Sequence, residues 1–189
     1  MKLANWEISQ YVPLIQKIMA KGEARETRAG KAYSLFGETL DIDTQDFPLL
    51  RGRKMYYKSV LGELAAMLRG AKTVQEFQEF GCNYWNDWGD KEGNLILDYG
   101  TSWIDFNGVN QLQQLVDTLK TNPNDRRMII SGWRPDRLKD LSLPCCHLLY
   151  QWYLREGKYL DMIWYQRSVD VMIGLPSDII FAAMWNKLL

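Results

Sequence analysis

In the stretch YVPLIQKIMAKG apolar residues recur every three or four positions, at Val12, Ile15, Ile18 and Met19, which predicts an amphipathic helix stopped at Gly22. The polar run EARETRAGKAYS breaks that spacing; with Arg25, Arg28 and Lys31 around Gly30 it reads as a basic loop, giving way to a strand over YSLFGETLDI. A second helix is predicted in SVLGELAAMLRG, with Leu61, Leu64, Met67 and Leu68 on one face, Glu63 inside the apolar stretch and Gly70 ending it. Thr73 and Glu76 then have the spacing of a capping box for a third. NYWNDWGDKEGN is an aromatic, turn-rich loop, and NQLQQLVDTLKTNP is helical through Leu112, Leu115, Val116 and Leu119 until Asn122-Pro123 ends it.

From residue 126 the pattern becomes strand-like: RRMIISGW, then HLLYQWYL and YLDMIWYQRSVDVM across the short turn REGK. From Pro176 onward the chain is apolar and helical. Helices and strands mixed without regular βαβ alternation predict an α+β fold, and the absence of a linker, repeat or low-complexity run predicts one domain over 1–189.

Composition narrows the function. The chain has 189 residues, 47% hydrophobic and 13% aromatic, enough for one sizeable core. Lys and Arg number 23 and so do Asp and Glu, so there is no overall field to hold nucleic acid or an anionic membrane, and any anion site must be local. The N-terminal residues lack the apolar core of a signal peptide, and no apolar run reaches the ~20 residues of a membrane span. Three cysteines, two of them adjacent, make a poor disulfide framework and offer no zinc spacing; a reducing, cytoplasmic setting is expected, without a metal.

The chemistry concentrates in SLPCCHLLYQWY, where Cys145 and Cys146 precede the only histidine, His147. A thiolate nucleophile needs nearby positive charge or hydrogen bonds, but neighbours on a strand point to opposite faces, so Cys146 and His147 do not both face one site directly. On its own the pair reads as packing. Arginine adds weight, because a guanidinium is always charged and matches phosphate oxygens with paired donors; Arg126-Arg127 opens one strand and Arg167-Ser168 ends another.

Taken in order, TRAGKAYSLFG, FPLLRGRK, SVLGELAAML, YWNDWGD, DYGTSW, NPNDRRMIISGW, LPCCH and YQRSVDVMIGLPSD resemble the successive motifs of the thymidylate synthase family. The resemblance implies that domain's fold, a mixed sheet flanked by helices, with a sheet face packing in a homodimer. It implies that Cys146 adds to C6 of a pyrimidine nucleotide, with His147 beside it, and that 5,10-methylenetetrahydrofolate is the one-carbon donor. By the same resemblance Glu63 shuttles protons through water and Tyr99 helps remove the C5 proton. Arg28, Arg167 and Ser168 hold the nucleotide phosphate together with Arg126 and Arg127 from the other subunit. Gln166 and position 178 read the base, and Trp85, Asp170 and Gly174 bind folate.

The chain also departs from the family pattern. Asp178 stands where the synthases carry Asn. An asparagine matches uracil's N3–H and O4, whereas cytosine inverts both; a carboxyl group accepts from cytosine's amine and, when protonated, donates to its N3. In the family this exchange marks the deoxycytidylate hydroxymethylases of phages that modify their DNA, so dCMP hydroxymethylation is expected, in a host cytoplasm if phage-encoded. The alternatives are a thymidylate synthase or hydroxymethylase acting on dUMP, and a non-catalytic nucleotide- or RNA-binding remnant. Cys145 replaces a proline and Ser177 an aromatic beside the folate. The last departure is that residues 1–189 read as a C-terminally truncated form of the domain, stopping before the segment that supplies the ribose-binding His and Tyr.

Overall fold

The computed structural model describes residues 3–27 and 30–189, and Arg28 lies outside the described residues. The architecture is α+β, with six α-helices and two small sheets among the described residues. The chain divides into two compact units, one of residues up to Met55 with Val171–Ala183, the other of Tyr56–Asp170 with Met184–Leu189.

In the first unit a π-helical turn, Glu7–Tyr11, runs into α1, Val12–Lys21, with Pro13 in the first turn, where its missing N–H costs nothing. The polar run expected to be a loop is instead an antiparallel hairpin, β1 (Glu23–Thr27) with β2 (Gly30–Ser34), registered from Glu23 opposite Ser34 to Thr27 opposite Gly30. Its side chains are almost all exposed, so hydrophobic alternation could not have shown it. The strand expected through Ile42 stops at Ser34: Gly37 adopts φ +81° and Phe36 is fully exposed. Met19, assigned to the apolar face of α1, also faces solvent, and Leu14 is the buried residue of that helix. Glu7 ties the unit together, its buried carboxylate accepting the N–H groups of Ala4 (2.8 Å), Arg51 (2.9 Å) and Gly52 (2.8 Å).

The second unit holds α2 (Tyr57–Leu68), α3 (Val74–Glu79), the short α4 (Gly100–Ile104) and α5 (Gln111–Thr121). Its sheet has the order β3 (Ile129–Ser131), β4 (His147–Arg155), β5 (Tyr159–Gln166). Every pairing among the described residues is antiparallel, where a mixed sheet was expected. β3 is shorter than predicted because Asp125 accepts the Arg127 N–H (2.8 Å), holding the double arginine in a turn. The capping box of α3 forms as read, with Thr73 Oγ1 accepting the Glu76 N–H and Glu76 accepting the Thr73 N–H. One sheet face is the core: Tyr150 and Trp152 pack with Trp103 and Trp185, ring centroids 4.4–6.0 Å apart. α6 (Gly174–Leu188) begins two residues before the predicted start. No helix among the described residues is long and apolar enough to cross a membrane.

Candidate active site

Cys146 lies at the end of a long loop, just before β4, and burial differs from one residue to the next: Cys145 is fully buried, Cys146 half-buried, His147 buried. Burial first, and the charge of Asp98 next, push the Cys145 thiol up to about 12, so it stays a thiol. Cys146 is held from two sides. Its N–H donates to the Tyr99 hydroxyl (2.6 Å), and its Sγ lies 3.7 Å from Nη2 of Arg167. Arg167 is fixed by donating from Nε to the Cys145 carbonyl (2.8 Å) and from Nη2 to that of Pro144 (2.9 Å), while its own N–H donates to the Cys146 carbonyl. A guanidinium anchored to the loop carbonyls therefore faces the sulfur that must carry negative charge in any attack.

Tyr99 is buried at the N-terminus of α4, where Gly100 is required: a Cβ there would overlap the Met67 carbonyl of α2. Burial first, then the neighbouring Cys146, push the Tyr99 phenol well above its ordinary range, so it is a neutral hydroxyl at working pH. Glu63 sits on α2 beside Gly62, whose missing Cβ lets the Phe80 carbonyl pass. The Trp85 indole N–H donates to Glu63 Oε1 (2.8 Å), fixing the carboxylate. Trp85 is only 4% exposed, lying against Phe77 (5.4 Å) and Tyr99 (5.6 Å). The ring open to solvent beside it is Tyr84, at 45% exposure.

His147 is engaged away from the thiol, its Nδ1 hydrogen-bonded with the Tyr150 hydroxyl (2.5 Å). The β4–β5 register places it opposite Gln166, so Gln166, Arg167 and the exposed Ser168 follow one another past the cysteine loop. Arg126 and Arg127 are exposed, with Arg127 forked on Asp125 (3.0 Å from both Nε and Nη2). Asp170 is exposed at the end of this unit. Asp178 and Gly174 belong to the first unit, in the opening turns of α6. The structure thus brings Cys146, Tyr99, Arg167, Glu63 and Trp85 into one connected cluster in the second unit.

The family model described as thymidylate synthase matches residues 9–189. The chain belongs to the thymidylate synthase family. Thymidylate synthases are transferases that move one carbon from methylenetetrahydrofolate onto a pyrimidine nucleotide. Reading the sequence missed Asp98, which pairs with Arg137 of the cysteine loop; the signal was an acid inside the apolar run LILDYG. Asp98 is fully buried, accepts from Ser102 Oγ (3.3 Å) and lies 3.5 Å from Arg137 Nη1.

Proposed function

We propose that this thymidylate synthase family member transfers a hydroxymethyl group to C5 of dCMP, with Cys146 as nucleophile. The substrate choice rests on one observation, the carboxyl group of Asp178 where the synthases carry an amide. Arg167, Ser168 and Arg28, with Arg126 and Arg127 from a second copy, bind the phosphate; Gln166 and Asp178 read the base. Asp178 accepts from the cytosine amine and, protonated, donates to N3. A uracil would set its O4 against the same acceptor, and sites built on hydrogen bonds reject such mismatches strongly.

Cys146 Sγ adds to C6, and the electrons of the C5–C6 bond move toward N3 and the exocyclic group, leaving C5 nucleophilic. Methylenetetrahydrofolate, held along Trp85, Asp170 and Gly174, supplies the one-carbon unit. Tyr99, a neutral hydroxyl that accepts the Cys146 N–H, keeps its own proton to orient water at C5. Glu63, fixed by Trp85, passes protons through water. C5 bonds to the donor's one-carbon unit, the C5 proton leaves through the water at Tyr99, and tetrahydrofolate departs with the electrons of its N–CH2 bond, leaving a methylene on C5. Water adds to that carbon and gives up a proton to form the alcohol, and the electrons returning through C5 expel the Cys146 thiolate from C6 and restore the ring. Ser177, small and polar where the family has an aromatic, leaves room for that water.

The setting is cytoplasmic, with no nucleic acid required, and the active form is a homodimer. The exposed sheet face of the second unit, carrying Ile129, Tyr153, Ile163 and Tyr165, supports that assembly. Tritium release from C5-labelled dCMP and dUMP with methylenetetrahydrofolate, followed by the product's mass, tests the proposal. Release from dCMP with an added CH2O is expected. Release from dUMP alone overturns the substrate, a methyl product overturns the reaction, and no release despite nucleotide binding indicates a binding protein.

A further inference from the structure

Residues 96–102 grip the loop 132–146 along its length. Ile96 and Ser142 exchange hydrogen bonds in both directions, Ser142 N–H to the Ile96 carbonyl (2.9 Å) and Ile96 N–H to Ser142 Oγ (3.1 Å). Tyr99 takes the loop's last N–H, that of Cys146. At the loop's first residue, Gly132, a Cβ would stand only 3.0 Å from the Asp98 carbonyl. Between these ends Asp98 is tied ionically to Arg137 (3.5 Å).

We propose that Asp98 is a positioning residue for Cys146: its buried carboxylate, paired with Arg137, holds the middle of the loop whose end presents the sulfur to Arg167. The inference rests on Cys146 being the nucleophile.

Energetics argue against simple stabilisation. Asp98 is 0% exposed, and its Oδ2 accepts no hydrogen bond among the described residues. A buried pair of this kind adds little to stability compared with apolar packing, because desolvation offsets the attraction. The groups facing Asp98 are Arg137, Arg134 and Asp136 from the loop, Cys145 from its end and Ser102 from α4. Burial raises the Asp98 carboxyl above its ordinary range despite Arg137, Ser102 and Arg134, which lower it; Asp136 adds to the rise. The native state therefore binds this proton more tightly than the unfolded chain does. Stability linked to Asp98 is full below the unfolded value and is lost as pH rises through the raised one. Wherever Asp98 is ionised its charge weakens the fold, which is the opposite of what a structural tie does.

Two properties should therefore separate in Asp98→Asn. Alkylation of Cys146 by iodoacetamide at pH 7.5, assigned by fragmenting the labelled peptide, is expected to fall about tenfold, as misplacement of a reacting group does. Thermal stability is expected to stay level or rise at pH 7.5, with any gain vanishing as pH falls through the Asp98 titration. Arg137→Gln, at a half-buried side chain, should slow alkylation similarly, and the double variant should be no slower than the slower single. A direct charge effect predicts faster alkylation in Asp98→Asn, because a negative charge near the sulfur is gone. Unchanged or faster alkylation, or additive losses in the double variant, overturns the proposal. Slower alkylation in a wild-type background that releases no tritium keeps the positioning role and removes the catalytic one.

Discussion

Cys145 and Cys146 are chemically identical side chains made different by their surroundings at the end of the loop before β4. Cys145 points into the core, where burial holds its proton; Cys146 points to Arg167. Cys146→Ser should abolish tritium release, a loss of at least about a thousandfold given the weaker nucleophile. Cys145→Ser should retain most of it, and the same assay decides. The sequence separates the two by motif position, Cys146 standing in the nucleophile's place and Cys145 in a proline's. The partner of Glu63 could not be read there, since the Trp85 indole reaches it only through the close approach of α2 to Phe80 that Gly62 allows. Trp85→Phe keeps the ring and removes the donor, so kcat should drop about tenfold with the KM for nucleotide little changed, in steady-state kinetics.

Helices with clear apolar spacing and the long β4–β5 hairpin follow from local pattern, and the capping box of α3 was set by two residues three apart. The β1–β2 hairpin and α4 did not, one being polar on both faces and the other only five residues long. Thr73→Ala should cost about 1 kcal/mol in a denaturant titration. Hydrogen bonds from the Lys72 and Thr73 backbone hold Glu76 below its ordinary range. Its contribution is therefore present above the unfolded value and lost as pH falls through the lowered one, so the deficit of Glu76→Gln should be visible at pH 7 and vanish in acid. Glu7 is a stronger tie of another kind. Glu7→Ala leaves three N–H groups without their acceptor, an expected loss of about 3 kcal/mol, measured by the same titration.

Assembly is where local pattern and tertiary structure meet, because a strand's second face is assigned only once its first is filled. Tyr150 and Trp152 fill the core face of β4, which leaves Gln151 and Tyr153 on the other, with Ile129 and Ile163 in register on either side of Gln151. Ile163 is 71% exposed at the middle of β5, and in the proposed homodimer this β-branched apolar residue would meet a symmetric copy of the same face. Ile163→Glu would set like charges against each other across that two-fold and should convert the dimer to monomer by sedimentation velocity. If Arg126 and Arg127 serve the partner's site, the same change removes activity although no residue near Cys146 is altered. Subunit mixing separates this from misfolding. A chain with Arg126→Ala and Arg127→Ala and a chain with Cys146→Ser are each inactive, yet half of the randomly paired dimers carry one intact site. Activity should then return to roughly a quarter of wild type. No recovery on mixing, with both variants dimeric, would place the two arginines in their own subunit's site, and full activity of the double-arginine variant alone would place them in none.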